Sequence, residues 1–264
     1  MELILKDVSL KTEKINKNLI NANYTFKEGI TFCNGLSGKI LKELLFQERK
    51  IDSGIVMVSE YATKKDIGVV GWSTDIDFNK NNLTDEIIYL INEYSLNYKD
   101  VAKRIRDALL MVGLNTNYLD VYFSDLSSTE LKKLSLALML FVNPKIMILD
   151  YYDKNLCDGD IVYLRKLIHK LSTMYNKTII ICSDNISPYL SVIDNIVIFN
   201  EGIIKFTGNK KDLYDDNLYK FIDEPDIISF IKYANSKGHK LEHYVDIKEL
   251  IKAIYRDVEN KWNI

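Results

Sequence analysis

SDLSSTELKKLSLALMLFVNPKIMILD, residues 124–150, is the stretch on which the reading of the whole chain turns. Ser127 and Glu130 stand in the S-x-x-E spacing of a capping box, in which a hydroxyl and a carboxylate each satisfy an amide at a helix start. Behind them Leu131, Leu134, Leu138 and Phe141 recur at helical spacing and predict a buried stripe. Ile146-Met147-Ile148-Leu149 then reads as a buried strand that delivers Asp150 to a sheet edge, where many phosphate-handling folds hold a magnesium-binding carboxylate. The next residue is Tyr151, which is uncharged at pH 7 and cannot take a proton from water.

Working outward, apolar runs rich in Ile and Val recur as GITFC, GIVMV, DIGVV, KIMIL, TIIIC, NIVIF and GIIKF. Amphipathic segments of helical length separate several of them, which predicts an α/β domain with a largely parallel sheet. NIVIF and GIIKF, joined by Asn200-Glu201-Gly202, predict a closing hairpin. Between about residues 73 and 140 no strand pattern is evident and helical periodicity dominates, as a helical insertion would read. There DVAKRIRDALLMVGL places Val101, Ile105, Ala108, Leu109 and Val112 on one face, with Asp100 as N-cap and Gly113 as the stop. Beyond about Phe221 two short amphipathic helices follow. The first carries Ile227, Phe230, Ile231 and Ala234 and ends at Gly238; the second starts with Asp246 and Glu249 as a capping pair.

Composition narrows the function classes. At 264 residues the chain can bury a large core. Lys plus Arg (35) and Asp plus Glu (37) nearly cancel, so no electrostatic footprint argues for nucleic acid or an anionic membrane surface. Cys33, Cys157 and Cys182 lie far apart in sequence, match no metal-ligand spacing, and are expected to be ordinary thiols in a reducing compartment. The N-terminus lacks the pattern of a secretory signal, so an intracellular chain is expected. The longest apolar stretch, about nine residues, falls short of the roughly twenty that span a bilayer.

Taken in order, GITFCNGLSGK, DSGIVMV, DIGVVGW, the opening stretch, KTIIICSDN and NIVIFNEGIIKFTG resemble the nucleotide-binding subunit of ABC transporters. The tail DEPDIISFIKYANSKGHKLEHYVDIKELIKAI resembles the C-terminal extension of the energy-coupling factor (ECF) ATPases. The resemblance implies a P-loop NTPase (ABC ATPase) fold with a mixed, largely parallel sheet. It implies a nucleotide-binding domain over residues 1–210, a helical insertion over about 73–140, and a C-terminal helical extension over 221–264. It also implies ATP and magnesium as cofactors, with a second, catalytically intact ABC ATPase and a transmembrane coupling protein as partners. The location implied is cytoplasmic, peripheral on the inner face of the cell membrane.

Position by position, the nucleotide motifs depart from the family's pattern. A P-loop surrounds phosphates with backbone amides, a lysine and a hydroxyl for magnesium. Gly35, Ser37, Gly38 and Lys39 match it, but the loop is about two residues short and Ile40 stands at the hydroxyl position. An ungapped reading puts Cys33 at the first glycine instead. Thr12 falls near the adenine-stacking position, Trp72 at the glutamine-loop position, Tyr151 at the catalytic glutamate and Asp184 at the switch histidine. The signature segment is Leu126, Ser127, Ser128, Thr129 and Glu130, without the glycines. The aspartate of the inter-subunit loop is matched by Cys157 or displaced to Asp158. Losing one general base or water-positioning group costs on the order of a hundred- to ten-thousand-fold in rate, so own-site hydrolysis is expected to be negligible. Alternatives stand beside each survivor. Lys39 is a phosphate contact or a solvated lysine at a helix start; Asp150 binds magnesium or simply ends a strand; Ser127 meets a partner's nucleotide or only caps its helix. The expected function is a degenerate subunit of an ECF-type importer, a structural and regulatory half of an ATPase heterodimer. A divergent ATPase using Asp153 or Asp184, and a soluble nucleotide-sensing protein, are the rival readings.

Overall fold

The computed structural model describes residues 1–11, 18–46, 48–59, 61–71 and 78–262, with side chains described as far as Arg256. Strands β1 (Leu3–Leu10), β2 (Leu19–Phe26) and β4 (Ser53–Val58) form an antiparallel sheet in the order β2-β1-β4. A second sheet is built from β3 (Gly29–Asn34), β5 (Ile67–Gly71), β6 (Ile146–Asp150), β7 (Thr178–Cys182), β8 (Asn195–Asn200) and β9 (Ile203–Asn209). Its order is β5-β6-β7-β3-β8-β9, with every pair parallel except the hairpin β8–β9. This is the largely parallel sheet that the Ile/Val runs predict, except that GIVMV forms β4 of the antiparallel sheet. The hairpin turns on Glu201 (φ 52°) and Gly202 (φ 80°), the two left-handed residues of a type I′ connection. Ile20 N–H then donates to the Gly202 carbonyl at 2.9 Å, joining the two sheets.

The runs are continuous rather than alternating because the parallel sheet is covered on both faces. Met147, Leu149, Ile179, Ile181, Ile30, Phe32, Ile196 and Ile198 face the larger core, which the helices close. Ile146, Ile148, Ile180, Cys182, Cys33, Val197 and Phe199 face the other, shared with β1 and β2 and with helix α1 (Gly38–Leu45). Helices α2 (Leu83–Glu93), α3 (Val101–Met111), α4 (Ser128–Val142) and α5 (Asp158–Tyr175) occupy the side of the larger core. Asp100 caps α3 by accepting from Lys103 N–H, and Gly113 (φ 76°) follows its end. In α4, Leu134, Leu138 and Phe141 are buried, whereas Leu131 is only half-buried.

Two expectations need correction, on β2 and on Phe230, while that of ordinary thiols agrees with the free cysteines. The N-terminal segment holds a strand, β2, that the search for Ile/Val runs does not find. Its inward residues Leu19, Ala22 and Phe26 are not evenly spaced, because bulges shift the β1–β2 register and Asp7 and Asn21 take left-handed φ. Cys33 and Cys182, distant in sequence, are register partners on β3 and β7, and both are buried free thiols. In α6 (Asp226–Ser236) the buried face is Ile228, Ile231 and Ala234, while Phe230 is 47% exposed. Position 230 falls two residues past Ile228, on the opposite side of a 3.6-residue turn. Helix α7 (Ile247–Trp262) follows, its start capped by Asp246, which accepts from Lys248 and Glu249 amides. Ile231, Ala234, Leu241 and Leu250 make a small core of their own, bordered by Tyr214. Tyr214 stacks on His243 at 3.9 Å and donates to the Tyr244 carbonyl at 2.7 Å.

Candidate functional site

β3 ends at Asn34 and α1 begins at Gly38, so the P-loop segment is reduced to Gly35, Leu36 and Ser37. Gly35 has φ +75°, and a Cβ there would lie 1.9 Å from the Phe199 carbonyl oxygen, so no larger residue fits. Gly38 lies so close to β6 that a Cβ would meet Ile148 Cγ2 at 2.5 Å and Asp150 Cβ at 2.9 Å. Ser37 is the N-cap of α1 and accepts from Lys39 N–H at 3.2 Å. Ile40 is buried at 2% exposure in the second core, and the Lys39 side chain is exposed.

The short loop brings Asp150 onto the start of this helix. Asp150 Oδ1 accepts from Gly38 N–H at 2.8 Å; Oδ2 accepts from Lys39 N–H at 3.1 Å and from Ser37 Oγ at 3.0 Å. The carboxylate therefore lies against the positive end of α1, satisfying amides that otherwise have no intrahelical acceptor. These are the groups that would hold phosphate and magnesium. Because a carboxylate already engages the amides and the position after the lysine is a buried Ile, the residues as arranged do not fit a magnesium nucleotide.

Tyr151 follows directly, with φ +52° and its N–H on the Cys182 carbonyl at 2.7 Å. Its hydroxyl donates to Asp184 Oδ1 at 3.2 Å, and Lys154 Nζ donates to Asp184 Oδ2 at 3.3 Å while lying 4.2 Å from the Tyr151 ring centre. Burial, then the Asp184 charge, pushes the Tyr151 hydroxyl pKa up, so it is a donor and not a base. The positions expected to hold a catalytic glutamate and a phosphate-sensing histidine are thus hydrogen-bonded to each other. They meet because β6 and β7 are parallel neighbours in register, Asp150 opposite Cys182.

Asp153 points inward. Its Oδ2 accepts from Ser183 Oγ at 2.9 Å, and its Oδ1, like the Tyr189 hydroxyl, is buried without a hydrogen-bond partner. Burial raises the Asp153 carboxyl pKa. Lys132, on α4, donates to the carbonyls of Tyr152 and Lys154, and Tyr152 Oη returns a bond to the Lys132 carbonyl at 2.9 Å. The turn after β6 is therefore fastened to α4. Cys157 is the N-cap residue of α5 but makes no side-chain cap; Asp158 opens the helix, and Asp160 pairs with Lys133 at 2.7 Å.

The signature segment lies at the start of α4. Leu126 is half-buried against the larger core, and Ser127 and Ser128 are exposed. Ser127 Oγ accepts from Glu130 N–H at 3.3 Å, while Glu130 Oε2 accepts from Ser127 N–H at 2.8 Å and Ser127 Oγ at 2.6 Å, completing the capping box. Tyr118 Oη donates to Glu130 Oε1 at 2.7 Å. These hydrogen bonds, from Ser127 first and then Tyr118, hold the Glu130 carboxyl down at about 2. Thr129, half-buried, is the remaining signature position.

Trp72 and Thr12 lie outside the described residues. Lys154, Ser183, Tyr189 and Tyr118 complete the site and no motif announces them; the one signal for Lys154 is a cation three residues after Tyr151 in a tight post-strand turn. A cleft of about 360 Å³ opens between β5, α2 and α4, lined by Val69, Phe78, Tyr89, Leu90, Tyr94 and Met139 among others. Glu86 is buried at its side, accepting from Lys80 N–H at 2.8 Å and Asn79 Nδ2 at 3.1 Å. Among the described residues no helix is long and apolar enough to cross a membrane.

No protein-family model matches the chain. An ABC transporter ATP-binding protein of Pyrococcus abyssi is 29% identical over 248 residues, covering 89% of this chain and 93% of its own length. The energy-coupling factor transporter ATP-binding protein EcfA1 of Staphylococcus aureus is 22% identical over 218 residues, 80% of this chain and 79% of that protein. Among solved structures, cbiO1 of Clostridium perfringens, part of the ABC transporter complex cbiONQ, superposes with a TM-score of 0.67 at 20% identity over 87% of this chain and 98% of that one.

Proposed function

We propose that this homologue of ABC transporter ATP-binding proteins, ECF transporter ATPases among them, is a non-hydrolysing subunit: a structural and regulatory half of an ATPase pair seated on a transmembrane coupling protein. One observation carries the reading. Tyr151 and Asp184, at the positions for the general base and the γ-phosphate sensor, are bonded to each other and held by Lys154. Hydrolysis needs a group that takes a proton from water within hydrogen-bond reach of the γ-phosphate. A phenol donating to a carboxylate is not such a group. The rival in which Asp153 or Asp184 positions water gains no support, since Asp153 faces Ser183 and Asp184 is bound on both oxygens.

The remaining surfaces suit assembly. The cleft beside α2 is lined in part by Phe78, Tyr89, Leu90 and Tyr94, from the segment of about residues 72–95 where the family docks on its coupling protein. The exposed Ser127 and Ser128 at the start of α4 are what this chain would offer to a partner's nucleotide. The division into a cassette over 1–210, with its insertion, and an extension over 221–264 belongs to the same proposal.

The test is phosphate release from magnesium-ATP by the purified chain, expected at background. Turnover that Asp150→Asn abolishes with the fold preserved would overturn the reading. For the partners, tagged chain purified from its host membranes is expected to carry a second ABC ATPase and a polytopic membrane protein in stoichiometric amounts. Recovery of the chain alone would count against assembly.

A further inference from the structure

We propose that Asp150 is a tethered anion: its carboxylate occupies the amide cradle at the start of α1 in place of a phosphate, and the phosphates of a nucleotide reach that cradle only by displacing it. The inference deepens the function proposed above and rests on the reading of this segment as a P-loop. In that family pattern the strand-end aspartate is a magnesium ligand, so its loss should weaken nucleotide binding. The bonds made here assign it the opposite role.

Both carboxylate oxygens are committed to the cradle, Oδ1 to Gly38 N–H at 2.8 Å and Oδ2 to Lys39 N–H at 3.1 Å and Ser37 Oγ at 3.0 Å. Three features of the chain bring it there. The connection from Asn34 to Gly38 is only Gly35-Leu36-Ser37, too short to arch around a phosphate group. Gly38 sits directly against β6, with its hypothetical Cβ 2.9 Å from Asp150 Cβ, so strand end and helix start touch where a phosphate would lie. Ile40 is buried, so no hydroxyl follows Lys39 to share a metal with the carboxylate; Ser37, on the other side of Gly38, supplies the hydroxyl instead.

The physical consequence is competition. Amides at a helix N-terminus favour an anion, whichever anion is nearest. A carboxylate on the adjacent strand is held in place by the fold, and intramolecular groups in good geometry act at effective concentrations far above a millimolar ligand. Without metal, Asp150 thus excludes phosphate. Removing its charge frees the cradle.

The experiment titrates inorganic pyrophosphate, in EDTA, into the full-length wild type and the variants Asp150→Asn and Asp150→Ala, with circular dichroism to confirm folding. Folded variants are expected to bind at least tenfold more tightly than wild type, a difference of about 1.4 kcal/mol. Affinity unchanged or weakened in a folded variant overturns the proposal. Should neither variant fold, amide hydrogen exchange in the wild type decides: Gly38 and Lys39 amides slowed well below the rate of an open loop support the carboxylate contact, and open-loop rates overturn it. Magnesium-ATP turnover by the wild type, measured beside the titration, separates the two ideas. Turnover would end the non-hydrolysing reading, whereas tighter pyrophosphate binding by the variants would uphold the tethered anion in either case.

Discussion

Replacing Tyr151 by glutamate, the residue that the family pattern places there, is expected to weaken the fold without starting hydrolysis. In the wild type the Tyr151 hydroxyl donates to Asp184 at 3.2 Å. A glutamate reaches less far, leaving its carboxylate on the order of 5 Å from that of Asp184. Two like charges at that distance repel by about 3 kcal/mol at an effective dielectric of 20 and by under ~1 kcal/mol in water. Asp184 is 63% exposed and Lys154 lies 3.3 Å from it, so the lower part of that range applies. Adding about 1 kcal/mol for the lost hydrogen bond gives a total near ~2 kcal/mol. With a urea slope of about 3 kcal/mol/M, the midpoint should fall by roughly 0.7 M at pH 7. Tyr151→Phe, which loses only the hydroxyl, should fall by about half of that. In an Asp184→Asn background the Coulomb part is absent, and the two substitutions should couple by roughly 1 kcal/mol. A Tyr151→Glu protein as stable as wild type at pH 7, or one releasing phosphate from magnesium-ATP above background, would refute this account of the site.

Other perturbations read other contacts. Glu130, held at about 2 against an ordinary 4.5, stabilises the fold fully above pH 4.5 and loses that contribution as pH falls toward 2. The full shift is worth ~3 kcal/mol, but this surface group is screened, so Glu130→Gln is expected to cost about 1 kcal/mol at pH 7; chemical denaturation of the two proteins should converge only below about pH 2. Asp153 has the reverse sign: its carboxyl is raised above 3.8, so stability is lost as pH rises from 3.8 through the folded value. Asp153→Asn removes that penalty, and a gain in stability at pH 7 that fades toward about pH 4 is expected in urea unfolding; a less stable variant would contradict it. Gly38→Ala drives a methyl to 2.5 Å from Ile148 Cγ2 and 2.9 Å from Asp150 Cβ, at a cost of about 2–3 kcal/mol. Gly113→Ala meets no atom within 4 Å and bears only its positive φ, at about 1 kcal/mol, so thermal unfolding should rank the two in that order.

The fold was readable wherever burial was two-sided. Ile146–Leu149 and Ile179–Cys182 are unbroken apolar runs because each alternate residue enters a different core. β2 escaped because its buried residues Leu19, Ala22 and Phe26 follow bulges rather than a period of two, and bulges are set by cross-strand partners such as Asp7 and Asn23. Phe230 is exposed although apolar, because apolar character does not by itself dictate burial. At the site, motif spacing located Gly35, Ser37, Gly38, Asp150 and Asp184, and the parallel register of β6 and β7 then brings Tyr151 beside Asp184. The sequence pattern does not say which donor each carboxylate chooses. Asp150 turns to the α1 amides because the Gly35–Ser37 connection is short in three dimensions, a property of packed distances and not of residue types.

Polar groups at this site are also bonded to one another, which bears on whether a single reversion could start hydrolysis. Asp150 neutralises the amides of Gly38 and Lys39; Tyr151 and Lys154 satisfy Asp184; Lys132 fills the carbonyls of the turn that presents them. Tyr151 and Asp184, both altered, are partners of each other, so reversing either one alone changes what the other is bonded to. A lengthened P-loop draws the α1 amides away from Asp150; a glutamate at 151 leaves Asp184 opposite a like charge; a histidine at 184 removes the carboxylate that both Tyr151 and Lys154 contact. Groups that act as a unit give effects far from additive. Single reversions should therefore lose stability and gain no turnover, and only their combination returns each partner together. On the proposed reading, a fold whose polar groups are this mutually satisfied is held in a non-catalytic arrangement by the same hydrogen bonds that stabilise it.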